Sequence, residues 1–262
     1  SDDPSSPAAP AAGWSAQMTL RGSGVRLHLH CPPPADGPVA AWVPGAGCGC
    51  TAGASLLKSA LQKNVRLCRP TEAVRVGWAL ARLRDAAGRP VGLGELLRRV
   101  PIIAVEDALP PEEIGAVVFL SAAHAKGMAI SPAHVRLLMR VVWRIAATRW
   151  REEAVSDNLA PLTLADDALG AGADLSRALL LREALGGMRG DAAMLRGAAR
   201  RWLARLGGGR AAWWCERLRG AIGDAAPASD GALEDEGAPL RASDFPPSCV
   251  DFHCSNVLDA AL

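Results

Sequence analysis

Tyrosine is absent from this sequence, phenylalanine occurs three times, and lysine occurs three times against 26 arginines. A GC-rich coding sequence produces that bias without selection for binding, so arginine abundance by itself says little about partners. No apolar run approaches the roughly 18 residues needed to span a bilayer, because Arg, Glu or Asp interrupts every hydrophobic segment. The opening "SDDPSSPAAPAAG" has neither the basic n-region nor the apolar h-region of a secretory signal. Other absences remove whole chemistries. The glycine-rich "PGAGCGCTAGAS" lacks the Gly-Lys-Ser/Thr ending of a phosphate-cradling loop, and Gly45, Gly47 and Gly49 miss the dinucleotide spacing. No Gly-x-Ser-x-Gly elbow occurs, and His124 and His134 stand apart from any nucleophile. His124, inside "LSAAHAKG", is expected to be a partly buried helix residue.

Seven cysteines form no even set and no paired Cys-x2-Cys pattern, which excludes a disulfide framework and fits a reducing, intracellular compartment. Cys68 and Cys215 fall in helical patterns, where cysteine acts as a small buried hydrophobe. No cofactor is expected. Were zinc bound, Cys48, Cys50, Cys249, His253 and Cys254 would be the residues to hold it. His28 and His30 share one face of a strand and read as an exposed polar edge.

What is present is apolar mass and segregated charge. Half of the 262 residues are hydrophobic, enough to bury a core and to exclude disorder throughout. From Ala54 to Arg219 there are 26 Lys/Arg against 16 Asp/Glu, whereas from Gly220 to Leu262 one Arg faces eight acids. A basic body followed by an acidic arm suits a polyanion partner, or an arm that shields the basic surface.

Periodicity predicts a mainly α fold, a multi-helix orthogonal or collar-like bundle with a small N-terminal β-hairpin. Residues 1–13 read as a disordered leader. Residues 14–53 read as a small β element, with a third strand in "VAAWV", followed by a Gly-rich linker; 54–222 is the helical domain. Residues 223–242 read as an acidic disordered segment, and 243–262 as a C-terminal piece whose helix, capped by Ser255, stops after one turn as in a fragment. Helices are expected to start at Ser55, Pro70, Gly94, Glu112, Ser131, Asp174 and Asp191, with a last one over "RAAWWCERLRGAI". Pro101 is expected to bend or break the helix that contains it.

Two arginine sets have helical spacing. Arg136, Arg140 and Arg144 lie at i, i+4 and i+8, opposite an apolar side of Val135, Leu138, Met139, Val142 and Ile145; Arg196, Arg200 and Arg201 with Arg205 form a second basic surface. Such stripes neutralise phosphates without reading sequence, and they equally serve as solvated faces. Trp202, Trp213 and Trp214 could stack on bases, although tryptophan in amphipathic helices is usually core. Glu106 and Asp107 point about 100° apart on a helix, so they read as partners of Arg98 and Arg99 rather than as an acid/base pair.

Leu61, Gln62 and Lys63, the Ala-rich helix around Ala73, Arg98 and Arg99, then Ile102, Ile103, Ala104, Glu106 and Asp107 make a further pattern. Over residues 57–108 this segment resembles the C-terminal helical region of replication-associated recombination ATPases, relatives of clamp loaders. There a Lys-containing helix and a helix with regularly spaced Ala lead to an Arg-rich helix ending in a small-x-Glu-Asp step. The resemblance implies an all-helical packing and oligomerisation module coupled to DNA. It implies no ATPase, because none of the family's catalytic motifs is in this chain.

The expectation is therefore a non-catalytic helical module associated with nucleic acid or a nucleic-acid-handling assembly. Arg136, Arg140, Arg144, Arg196, Arg200 and Arg201 would contact phosphate, while Arg98, Arg99, Glu106 and Asp107 organise the fold or an interface. A protein partner or homo-oligomer is expected and a membrane is not. One alternative is a metal-dependent enzyme using Asp251, His253 and Cys254 with a cysteine from the Gly-rich loop. Another is a structural subunit that docks through the acidic segment.

Overall fold

Alternation of apolar and polar side chains in "WSAQMT" and "RLHLHC" sets the first element. In a computed structural model, β1 (Trp14–Thr19) and β2 (Arg26–Cys31) pair antiparallel, with Trp14 opposite Cys31 and Met18 opposite Leu27. The structure describes residues 13–20, 25–34, 39–45, 53–150, 173–223 and 238–249. Leu29 is buried while His28 and His30 face solvent, as the period of two requires.

The expected third strand does not form: residues 39–43 run without strand structure. That segment is held instead by Trp42, whose N–H donates to the Ile130 carbonyl at 2.6 Å and whose ring lies 6.3 Å from that of Trp78.

Eight α-helices follow among the described residues: α1 (Ala54–Arg66), α2 (Pro70–Ala81), α3 (Gly92–Asp107), α4 (Ile114–Ala125), α5 (Pro132–Ala147), α6 (Asp174–Ala184), α7 (Arg189–Gly207) and α8 (Ala211–Gly223). The chain is thus mainly α with a small antiparallel hairpin. Of α1 to α7, α5 alone has a side-chain cap. Ser131 accepts from the His134 N–H while His134 Nδ1 accepts from the Ser131 N–H, closing a capping box. Ser55 and Asp191 do not cap: α1 begins behind Gly53, and α7 begins two residues before Asp191, behind Met188. Asp174 is the first residue of α6 rather than its cap.

Packing follows the apolar stripes. One core gathers Leu57, Leu61 and Val65 of α1, Val74 and Trp78 of α2, Leu96 and Ile103 of α3, Val117 of α4, Val142 of α5, Leu179 of α6, and Leu195 and Trp202 of α7. Helices α1, α2 and α5 pack on one another, α6 lies along α7, and α3 touches both groups. Gly92 is required where α3 meets the end of α2, because a Cβ there would fall 1.7 Å from the Leu80 carbonyl oxygen.

One expectation, and one half of another, fail for local reasons. Cys68 is exposed, not buried: the corner between α1 and α2 needs a left-handed residue, Cys68 takes it at φ 56°, and its side chain turns outward. Pro101 does not break its helix, since α3 is continuous from Gly92 to Asp107. Proline costs an interior helix one hydrogen bond, to the carbonyl one turn back at Leu97. Burial of Val100, Ile102, Ile103 and Ala104 around it offsets that loss. On the same turn the Arg98 carbonyl accepts from Arg182 Nε at 2.9 Å, tying α3 to α6.

Residues 238–249 return to the bundle through two 3-10 turns, Ala242–Asp244 and Pro247–Cys249. Asp244, fully buried, receives Arg75 Nη2 at 2.7 Å and Arg75 Nε at 3.0 and 3.2 Å, and its carbonyl accepts from Asn64 at 2.8 Å. Ser59 Oγ donates to the Cys249 carbonyl at 2.7 Å, so this segment is fastened to α1 and α2. The leader, most of the acidic segment, "SDNLAPLTLADDALG" and the Ser255 helix lie outside the described residues.

Candidate phosphate and base contact surface

The expected phosphate contacts divide according to what already faces them. Arg136 and Arg140 are exposed on α5, one turn apart. Arg144, the third of that stripe, is half-buried and bonded to Glu113, so its charge is spent inside the protein. On α7, Arg196 donates to Glu183 Oε1 at 2.6 Å and faces α6. Arg200 and Arg201 are half-buried, and no carboxylate bridges Arg200 among the described residues. The two stripes therefore lie on separate helices, and Arg144 in one and Arg196 in the other are bonded to carboxylates.

Arg99, Glu106 and Asp107 meet residues of α1. Arg66 Nε binds Asp107 Oδ1 at 2.6 Å, Gln62 Nε2 donates to Asp107 Oδ2 at 2.7 Å, and Gln62 Oε1 accepts from Arg99. Glu106 lies 3.8 Å from Arg66 and 3.9 Å from Arg99. The Gln62 amide thus bridges a cation on its oxygen and a buried carboxylate on its nitrogen. The Asp107 hydrogen bond raises the Arg66 pKa above its ordinary value. Arg98 does not join this network; it pairs with Glu95 one turn earlier.

A different set of arginines converges where α5 ends and α8 begins. Trp214 lies 6.0 Å from Trp150, 5.9 Å from Trp202 and 4.7 Å from Trp213, the last two edge-on. Guanidinium groups cover these rings: Arg205 sits 4.2 Å from the Trp214 centroid, Arg210 4.6 Å from Trp213, and Arg217 3.9 Å from Trp150. Trp202 is wholly buried, Trp150 and Trp214 half-buried, and Trp213 is 41% exposed. No carboxylate bridges Arg210 or Arg217 among the described residues. Of the expected stacking residues, then, Trp202 belongs to the core and Trp213 to the surface.

Spacing could have revealed part of this cluster. Arg205 is three residues after Trp202 on α7, while Arg217 is four after Trp213 on α8 and Arg210 three before it in the preceding turn. Trp150 carried no such signal, because only tertiary packing brings it to α8.

Cys48, Cys50, Asp251, His253 and Cys254 lie outside the described residues. Cys249 is buried against α1, which pushes its thiol pKa up, and no group of three His, Cys, Asp or Glu able to hold a metal occurs among the described residues. Burial lowers the pKa of His124 and of His134. Among the described residues no helix is long and apolar enough to cross a membrane. Compared with known proteins, the chain matches no family model, no curated protein and no solved structure.

Proposed function

We propose that this chain is a helical module that holds single-stranded nucleic acid on the surface joining α5 to α8. The observation that supports this reading most directly is the Arg210 and Arg217 pair. Both guanidinium groups lie over tryptophan rings without a neutralising carboxylate, beside the 41% exposed Trp213. Unpaired bases stack on indoles and on guanidinium planes, and every base offers a face, so such a surface tolerates sequence. Arg136 and Arg140, on the helix that leads to Trp150, extend the positive surface along a backbone track. As an assembly module, the property implied by the resemblance of residues 57–108, it would also self-associate or dock a protein partner. Its free thiols at Cys31, Cys68, Cys215 and Cys249 agree with a reducing, intracellular compartment.

The test is fluorescence anisotropy of a labelled single-stranded oligonucleotide across a salt series. Five cations (Arg136, Arg140, Arg205, Arg210 and Arg217) each neutralising one phosphate give a log–log salt slope of about −3.5, roughly a hundredfold loss between about 50 and 200 mM salt. Arg210→Gln with Arg217→Gln should flatten the slope to about −2 and remove the quenching of Trp213 by bound bases. Affinity indifferent to salt, or no binding at low salt, refutes the proposal.

A further inference from the structure

A cleft of about 410 Å³ opens at the other end of α7, between α1, α3 and the turn from α6. Because α7 has 19 residues, its two ends are about 27 Å apart, and the cleft is separate from the tryptophan cluster. Lys58, Arg98, Arg99 and Arg182 line the cleft against only Glu95 and Asp191. Glu95 serves two of the cations, accepting from Lys58 at 2.9 Å and from Arg98. Asp191 forms no ion pair among the described residues, but its charge acts on Arg182, and its Oδ2 lies 3.9 Å from the point where a Cβ on Gly187 would be.

Arg182 is the anchor. It is 4% exposed, and two backbone carbonyls fix its plane: Arg98 accepts from Nε at 2.9 Å, and Gly186 accepts from Nη1 at 2.7 Å. Nη2 has no hydrogen bond among the described residues. It lies 4.0 Å from where a Cβ on Gly187 would be, and Gly187, having none, leaves that edge open to the cleft. Nη2 is not sealed from solvent, so a ligand oxygen there would replace water on an already oriented donor. The first turn of α7 adds N–H groups that no side chain caps, at the positive end of the helix dipole.

We propose that this cleft binds a small phosphomonoester dianion, its phosphate received by Arg182 Nη2 with Arg98 and Lys58 and by the first turn of α7. Cations outnumber carboxylates in the lining even though Arg99 also faces Glu106 behind it, and that excess suits a monoester above its second pKa near 6. The site is independent of the nucleic-acid surface and stands if that surface fails.

Isothermal titration calorimetry of the whole chain, in chloride buffer at constant ionic strength, tests it with ribose 5-phosphate, inorganic phosphate and ribose as probes. Ribose 5-phosphate and phosphate should bind saturably and ribose should not. Affinity should fall as pH drops below about 6 and the phosphate loses its second charge. Arg98→Gln, a half-exposed side chain, should weaken binding about tenfold. Asp191→Asn, which removes an opposing charge, should tighten it severalfold, an effect that loss of structure cannot produce. Arg89→Gln, on the exposed turn between α2 and α3, should change nothing. No saturable heat with either phosphate probe, binding of inorganic phosphate alone, or equal losses in Arg98→Gln and Arg89→Gln would each overturn the proposal.

Discussion

Replacing Asp244 by Ala isolates the strongest long-range polar tie in the fold. Asp244 is fully buried and Arg75 is 7% exposed, and three contacts of 2.7 to 3.2 Å join them. The substitution takes the Asp244 carboxylate away from a guanidinium buried between α2 and the returning segment. Removing one partner of a buried pair costs about 3–5 kcal/mol, because the survivor keeps its desolvation penalty and loses its compensation. The variant also frees the Arg241 N–H, which donates to Asp244 Oδ2 at 2.8 Å. For a chain of this size each kcal/mol moves Tm by about 2–4 °C, so a drop of roughly 6–20 °C is expected by circular dichroism. Urea titration should show the same loss as a lower midpoint at unchanged slope. The double variant Arg75→Met with Asp244→Leu should recover at least half of the loss, since apolar pairs replace buried ion pairs well. A loss below about 1 kcal/mol, the range of a surface bridge, would refute the reasoning, as would a double variant no better than the single one.

Two further predictions concern stability. His134 Nδ1 accepts the Ser131 N–H only while unprotonated, and burial holds its folded pKa below the ordinary 6.5. The unfolded chain therefore takes up protons first as pH falls, and stability declines below about pH 6.5 until the folded pKa is passed. His134→Gln keeps a side-chain acceptor for the capping box, so the fall in Tm from pH 7.5 to 5 should then be shallower; an unchanged pH profile would remove His134 as its source. Trp202 is wholly buried, and its Nε1 has no hydrogen-bond partner among the described residues. Trp202→Ala should cost about 3–5 kcal/mol, and Trp202→Phe clearly less because it deletes an unpaired donor along with volume. Equal losses in urea melts would show that the indole N–H is satisfied in solution.

Helix identity was legible because the apolar stripes recur at a helical period and because glycine and proline mark the ends, as Gly127 after α4 and Pro132 inside the start of α5 show. Boundaries were less so. Ser55 and Asp191 have the side chains of N-caps, but the backbone turns into helix earlier, at positions set by tertiary packing. Pro101 misled because a local penalty was read without the apolar side chains packed around it. "VAAWV" has strand-like residues, but the Trp42 N–H goes to Ile130 rather than to an outer edge of the hairpin, a choice that only the fold makes. The tryptophan cluster was half visible in i, i+3 and i, i+4 spacing. The Arg182 cleft was invisible, because its cations come from three helices and its key donor is oriented by carbonyls rather than by any neighbouring side chain.

The arginines of this chain sort by what consumes their charge, and that sorting separates architecture from surface chemistry. Arg66, Arg75, Arg144 and Arg196 each meet a carboxylate within the bundle and tie one element to another. The residues carrying the resemblance over 57–108 follow the same rule, since Gln62, Arg99 and Asp107 lock α1 to α3. A guanidinium with a carboxylate of its own has less left to offer a phosphate than Lys58 and Arg98, which share the single charge of Glu95. Arg210, Arg217 and the open edge of Arg182 are held in place by tryptophan rings or backbone carbonyls, which orient a cation without neutralising it. Orientation without neutralisation is what an anion site requires, because the geometric order is set before binding while the charge is kept for the ligand.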